Sequence, residues 1–478
     1  MAEPAAPFIL DAATAEKLTG GRWIGSRGEL VLHGLAIDSR QVVPGCIFAC
    51  FTGQHVDGHD YVDTAVGDGA ALILAGREVE VPVPVLVVDD VTVALGALAA
   101  AFRADYEDAV WIAITGSNGK TTVKELAAAA CGASDRVWCT PGNRNNEIGV
   151  PLTVLNTPTE VRYIIVELGA SAPGDIDALA RIVRPDVGVI TNIGPAHLAG
   201  MGGLEGVTRT KCELFGRVAP HGRVLFCRHG LDAVCAEYGQ RADDLLAIVR
   251  AAAGSRQLTI VGDPGCPIAG EAREAGLVLR TVVGEVSLQL MGTHNLANAS
   301  LAWHLAVAAG ADAQRALGGL AAVRPSNGRL QQCHLGEHLL LDDSYNANPG
   351  SMEAGLRVLS QRPGARLAVL GAMAELGQES GHLHRRVGAE AARLGLPLLT
   401  VGRDAAAIGT GYTAAGGRDH CHVRDADEAV SVLRERLRIG PTSVLVKASR
   451  PAGLDRIPAA LMEALGHGAA RSEGDGGC

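Results

Sequence analysis

The chain has 478 residues, more than one compact core accommodates at roughly 100 to 200 residues per domain, so about three domains are expected. Lys and Arg number 42 against 52 Asp and Glu, and the formal net charge of −10 argues against a phosphate-backbone binder as the main function. A hydrophobic share of 47% excludes a largely disordered chain, and 61 glycines beside only 3% aromatics leave Ala, Val, Leu and Gly to build the core.

The start, MAEPAAPFILDAATAEKL, has no basic segment before its apolar residues, and no apolar run reaches the roughly 18 residues that a membrane span needs. The expectation is a cytoplasmic enzyme acting as a monomer, with neither nucleic acid nor membrane insertion. Eleven cysteines without a CxxC pair suggest reduced core residues, not a disulfide framework or a zinc ribbon. Residues 1–106 hold short apolar runs at 30–37, 70–74 and 85–88, then an Ala-rich helix from about Val91, a small α/β unit. Residues 107–321 open with VWIAIT, a buried parallel strand, and continue through VRYIIVEL and DVGVIT, which predicts a parallel sheet covered on both faces. From 322 to 478, after the polar RPSNGR, the runs HLLLDD, RLAVLG, PLLTVG and TSVLVK alternate with helical segments in a Rossmann-like α/β pattern. The tail RSEGDGGC is expected to be disordered.

Chemistry concentrates first in IAITGSNGKTTVK, where a strand runs through Gly116, Ser117, Asn118 and Gly119 into Lys120, Thr121, Thr122 and a helix. Glycines let backbone N–H groups turn toward a polyphosphate, the helix start adds its positive dipole end, Lys120 supplies a charge and the Thr121 hydroxyl can ligate Mg²⁺. The loop is shorter than the standard GxxxxGK[ST] pattern, and the bland alternative is a glycine-rich turn with a solvated lysine. A carboxylate for the metal is expected at a neighbouring strand end, and Glu167 in VRYIIVELGAS fits unless it lies beyond the buried portion. His197, in the loop after DVGVIT, could join the same cluster, because carboxyl ends of parallel strands form the ligand-binding edge. Lys211, Asn295, Asn298 and Arg329 each have a dull explanation as well, in a solvated helix face, an N-cap or a surface ion pair. The run Asp342 to Pro349, DDSYNANP, is harder to dismiss, because it exceeds what a turn after a buried strand requires. KASR, with Lys447 and Arg450, offers cations at another strand end. The residues alone support an ATP-dependent enzyme whose nucleotide lies between a P-loop domain and a C-terminal α/β domain.

TGSNGKTT, NRNNEIGVPLT, ELGAS, NIGPAHL, KCELF, THNLANA, GRL, DDSYNANPGSM, LGAMAELG and VKASR resemble, in order, the motifs of the Mur ligases of peptidoglycan synthesis. DDSYNANP and MAELG point to the branch that joins D-alanyl-D-alanine to UDP-N-acetylmuramoyl-tripeptide. The resemblance implies three domains: a UDP-sugar binder, a P-loop ATPase and a closing C-terminal unit. It also implies ATP and two Mg²⁺ ions, with an acyl phosphate as intermediate. By position, Lys120 would neutralise the β- and γ-phosphates, Thr121 and Glu167 would hold the first Mg²⁺, and His197 would help to bind the second. Lys211 matches a carbamylated lysine, Asn295 and Asn298 residues near the adenine, Arg329 the γ-phosphate arginine, and Asp343 a residue that reaches the nucleotide. Tyr345, Asn346 and Asn348 would help to receive the dipeptide. Lys447, Ser449 and Arg450 would face the phosphate or tripeptide, and Ser39 and Arg40 the UDP group. Two departures stand out: KASR replaces the commoner KGSR, so Ala448 could strain a positive-φ backbone, and Cys212 beside Lys211 has no evident role.

The competing readings are a neighbouring Mur ligase that adds one amino acid such as diaminopimelate or lysine, a P-loop switch or transport ATPase, and an inactive scaffold. DDSYNANP weighs against the first, a UDP-sugar domain against the second, and the intact Lys120, Glu167, His197 and Lys211 against the third.

Overall fold

The computed structural model of the chain describes residues 5–464 apart from 134, 197 and 275, so His197 and the tail RSEGDGGC lie outside the described residues. In the N-terminal part, Leu35–Ala36, Ile47–Ala49, Leu72–Ala75 and Val85–Val87 pair in parallel in that order, and Arg22–Ile24 closes the far edge antiparallel. The apolar run 30–37 is not one strand. Gly34 breaks it at φ 83°, and Leu30–His33 turns away to pair with Pro7–Leu10 in a separate antiparallel ribbon. A Cβ at Gly34 would sit 2.4 Å from Asn156 Oδ1, which explains why this corner takes glycine. Helix Val91–Asp105 follows, with the Asp90 side chain accepting from the N–H groups of Thr92 and Val93 at its start.

The central sheet is wholly parallel, in the order Gln257–Val261, Arg223–Cys227, Val187–Ile190, Val110–Thr115, Tyr163–Glu167, Val137–Cys139. Val110–Thr115 lies in its interior, and its side chains alternate: Trp111 and Ala113 enter one hydrophobic cluster, Ile112 and Ile114 the cluster on the opposite face. The sheet is therefore covered on both sides, as its continuous apolar strands predict. Successive strands are added on opposite sides of Val110–Thr115, which makes its carboxyl end a topological switch point, where open α/β sheets bind ligands. Residues 269–288 depart from the alternating pattern. They form a three-stranded antiparallel sheet, because the two-residue links after Arg273 and Thr281 are too short for a helical crossover.

The C-terminal sheet runs Gln331–Leu335, His338–Asp343, Thr442–Lys447, Ala365–Leu370, Leu398–Val401, His420–Val423. All its neighbours are parallel except the first pair, an edge hairpin. His338–Asp343 and Thr442–Lys447 thus end side by side, with Asp343 opposite Lys447 in the ladder. Among the described residues no helix is long and apolar enough to cross a membrane. Cys212 is one of the buried cysteines, packed into the core with its thiol pushed up to about 12 by burial.

Candidate active site

Strand Val110–Thr115 delivers the chain to the sheet edge, where residues 116–119 turn through φ 147° at Gly116 and 77° at Gly119. Both positions demand glycine for space as well as conformation: an added Cβ would lie 1.9 Å from Thr191 Oγ1 at Gly116 and 2.8 Å from Asn298 Oδ1 at Gly119. The loop is tied to the next strand end. Ser117 Oγ donates to Gly194 O at 3.0 Å and accepts from Gly194 N at 2.9 Å. Asn118 N donates to Asn192 Oδ1 at 2.9 Å, and Thr191 Oγ1 donates to Asn118 O at 2.5 Å. Helix Lys120–Gly132 then begins with no side chain capping it, which leaves its first N–H groups to an anion.

Lys120 folds back over the loop, its Nζ donating to Gly116 O at 2.9 Å. Burial holds its ammonium below the usual lysine range, opposed by Glu167 and reinforced by Arg329. Glu167 ends strand Tyr163–Glu167 and is 2% exposed, which excludes the solvated alternative. Its two carboxylate oxygens accept from Thr121 Oγ1 at 2.8 Å and Asn145 Nδ2 at 2.7 Å. Thr122 lines the same cavity.

The C-terminal domain supplies the opposite wall. Arg329 Nη2 donates to Thr121 Oγ1 at 3.1 Å, and its guanidinium lies 4.3 Å from the Tyr345 ring centroid. Asn348 Nδ2 donates to Asn118 Oδ1 at 2.5 Å. Lys447 Nζ pairs with Asp343 Oδ2 at 2.7 Å and donates to Asn346 O at 3.0 Å. Burial pushes the Asp343 carboxyl up, and the Lys447 charge opposes that shift. Asn295 and Asn298 enter from helix Thr293–Ala308, joined to one another by Asn298 Nδ2 donating to Asn295 Oδ1 at 2.9 Å. Apart from Gly116, these residues line a single cavity of about 930 Å³ between the P-loop and the C-terminal sheet.

Other expected residues stand apart from it. Ser39 and Arg40 occupy the turn Ser39–Gln41, where the Arg40 guanidinium is 86% exposed and, at 2.6 Å, holds the Asp38 carboxyl down to about 2. Lys211, in helix Gly203–Arg217, does not line the cavity; it is 2% exposed and makes no ion pair among the described residues. Burial, then the Lys120 charge, lowers its ammonium to about 7. Ser449 is a buried bridge: its Oγ donates to Ala347 O at 3.0 Å and accepts from Ala374 N at 2.9 Å. Arg450 reaches the Tyr345 ring at 5.9 Å without lining the cavity. The strain expected at Ala448 is absent, because this residue is not among the positive-φ positions and its methyl group packs in the core. No group of three or more His, Cys, Asp and Glu side chains is arranged to hold a metal among the described residues, and His197, expected to help bind the second Mg²⁺, lies outside them.

Sequence reasoning missed Asn145, Thr191, Asn192 and Lys124. Lys124 is buried and donates to Thr140 O at 2.7 Å and Gly142 O at 3.2 Å, fixing the loop that presents Asn145. For Asn145 the signal lay in NRNNE, a polar run close after strand Val137–Cys139, which carries more amides than a turn requires.

Three family models match in chain order: "Mur ligase family, catalytic domain" over 31–103, "Mur ligase middle domain" over 114–306, and "Mur ligase, glutamate ligase domain" over 328–450. The UDP-N-acetylmuramoyl-tripeptide-D-alanyl-D-alanine ligase of Escherichia coli is 36% identical over 440 residues, 91% of this chain and 95% of that one. The chain belongs to the Mur ligase family. Among solved Mur ligases, MurF from Acinetobacter baumannii superposes with a TM-score of 0.84 at 31% identity, covering 96% of this chain and 100% of that one. MurF from Thermotoga maritima, solved in complex with ADP, gives 0.76 at 26% identity, covering 90% and 97%. In this Mur ligase the middle-domain match contains the P-loop, Glu167, Lys211, Asn295 and Asn298, and the last match contains Arg329, Asp343, Tyr345, Lys447 and Arg450. The cavity lies where the two matched regions meet.

Proposed function

We propose that this Mur ligase joins D-alanyl-D-alanine to UDP-N-acetylmuramoyl-tripeptide, with ATP activating the tripeptide carboxylate as an acyl phosphate and ADP and phosphate released. The observation that carries this reading is the Arg329 to Thr121 hydrogen bond, which puts a C-terminal cation on the P-loop hydroxyl at one shared cavity. The names of the curated relative from Escherichia coli and of the two MurF structures support it. Residues 1–106 are assigned to the UDP-sugar through Ser39 and Arg40, residues 107–321 to ATP, and residues 322–478 to closure over the nucleotide.

Phosphoryl transfer to a carboxylate gathers anionic oxygens, so catalysis rests on positioning and on cations. The backbone of 116–119 and Lys120 hold the β- and γ-phosphates, Arg329 meets the transferred group, and Asn295, Asn298 and Asp343 hold the nucleoside. Tyr345, Asn346 and Asn348 receive the dipeptide, and Lys447, Ser449 and Arg450 serve the phosphate and tripeptide side. Thr121 and Glu167 fit a Mg²⁺ ion, because a hydroxyl and a single carboxylate 2.8 Å apart beside a phosphate loop are the hard oxygen donors that this cation takes with phosphates and water. Mg²⁺ there would draw off phosphate charge. A second ion is assigned to His197 and a carbamylated Lys211. With its ammonium lowered to about 7 by burial, the Lys211 amine gives up its proton more readily than a solvated lysine and so can take up CO₂, and the resulting anion would face Lys120 in place of a like charge. We assign the reaction to the cytoplasm, where cysteines stay reduced.

Phosphate release with ATP, Mg²⁺ and UDP-N-acetylmuramoyl-tripeptide tests the reading. It should depend on D-alanyl-D-alanine and respond little to single amino acids, whereas release indifferent to the dipeptide would refute the assignment. Lys211→Ala should lose activity that short carboxylates partly restore, and absence of rescue at every concentration would count against carbamylation.

A further inference from the structure

The polar inventory of the cavity is matched to anions, yet a dipeptide substrate also brings a cation, its terminal ammonium. Most carboxylates of the cavity wall are already engaged: Glu167 by Thr121 and Asn145, Asp343 by Lys447, and Asp175 by the N–H groups of Ser171 and Ala172. Two are not: Glu147 on the central-domain side and Glu375 on the C-terminal side both line the cavity, are exposed, and take part in no hydrogen bond or ion pair among the described residues. Of the two, only Glu375 stands beside the segment that Ser449 ties to the Asn346 and Asn348 run.

Its backbone is also unusual. Glu375 stands at φ 62°, one of four non-glycine residues at positive φ among the described residues, and a conformation of this kind costs about 1–3 kcal/mol. Surrounding structure imposes it. Gly371 N donates to Lys447 O and Ser449 N to Ala372 O, both at 2.9 Å. Met373 N donates to His384 Nε2 and Ala374 N to Ser449 Oγ, again at 2.9 Å. His384 is itself 1% exposed and held by Ser380 O at 2.7 Å from its Nδ1, so the peg is rigid. Ser449 Oγ in turn donates to Ala347 O, which couples this segment to the Asn346 and Asn348 run across the cavity wall. A strained backbone, pinned residue by residue, therefore presents an uncommitted carboxylate to the substrate space.

We propose that Glu375 is the specificity-determining residue that binds the terminal ammonium of the dipeptide and turns its nitrogen toward the acyl carbon. This assignment rests on the ligase reading above. It explains why a glutamate occupies a position that glycine or asparagine would take at lower cost.

The test uses the full chain and Glu375→Gln, which keeps shape and removes charge. Acyl phosphate formation from ATP and UDP-N-acetylmuramoyl-tripeptide, trapped with hydroxylamine, should match the parent protein. The KM for D-alanyl-D-alanine should rise by at least about tenfold, the factor that loss of one charged hydrogen bond supplies, and Glu375→Asp, which keeps the charge, should recover part of it. An unchanged KM would overturn the proposal, and so would loss of trapped acyl phosphate, which marks a merely structural role. A parent protein that never consumes the dipeptide would instead refute the ligase reading itself, so the two failures are distinguishable.

Discussion

Lys120 and Lys211 show how one environment gives two lysines different tasks. Both are depressed by burial; at Lys120 Glu167 opposes that shift and Arg329 adds to it, while at Lys211 the Lys120 charge adds to it, Asp175 and Glu213 oppose it, and the ammonium falls to about 7. In an unfolded chain a lysine titrates near ~10.4. Between about 7 and ~10.4 the unfolded chain therefore holds a proton that the folded chain has released, so the contribution of Lys211 to stability rises with pH across this window. Below about 7 the folded state carries the full penalty of a buried charge. In bicarbonate-free buffer, denaturant titrations should show a rise in unfolding free energy from pH 7 to pH 10 that Lys211→Met removes, and equal slopes for both proteins would contradict the assigned environment. The P-loop glycines, Lys120 and Glu167 were legible in the sequence, because each residue type is demanded by phosphate or metal chemistry at a strand end. Asn145 was not, since an asparagine in a loop has many uses and only the fold carries it to Glu167.

Helix Pro349–Ser360 links secondary structure to the site. Asn348 forms a capping box at its start: the side chain accepts from Ser351 N at 2.9 Å, while Ser351 Oγ accepts from Asn348 N at 3.0 Å. The other end of the same amide, Nδ2, reaches Asn118 on the P-loop. These two functions separate by substitution. Asn348→Asp keeps the cap acceptor and should leave thermal stability nearly unchanged, whereas Asn348→Ala should lose about 1 kcal/mol. Both remove the donor to Asn118, and Asp adds an anion beside the phosphate loop, so both should weaken ATP binding in a nucleotide titration. Equal affinity in all three proteins would remove the bridge from the account. At this scale the sequence announces strands well, because buried parallel runs such as VWIAIT are continuous and apolar. It hides the break at Gly34 and the antiparallel sheet at 269–288, where glycine geometry and link length decide, not hydrophobic pattern.

Across the whole molecule, the C-terminal domain touches the central one at several separated points. Arg329 meets Thr121, Asn348 meets Asn118, Ser326 meets Glu125, and Arg386 pairs with Glu237. The first two lie in the cavity wall and the last two do not, so the contact extends beyond the site and orients one domain on the other. Three α/β units were legible from length and from three sets of strands, but which side chains would face one another was not, because that depends on how the units pack. The net charge of −10 is no obstacle to an anionic substrate, since Lys120 and Arg329 gather where the P-loop opens and Lys447 lies across the cavity. The most direct test of the ligase assignment is the mass of the product formed from UDP-N-acetylmuramoyl-tripeptide, ATP and Mg²⁺ when D-alanyl-D-alanine and free amino acids are offered together. A nucleotide product extended by the whole dipeptide is the predicted result, and a product extended by one amino acid, or ATP consumed with no extension, would contradict it.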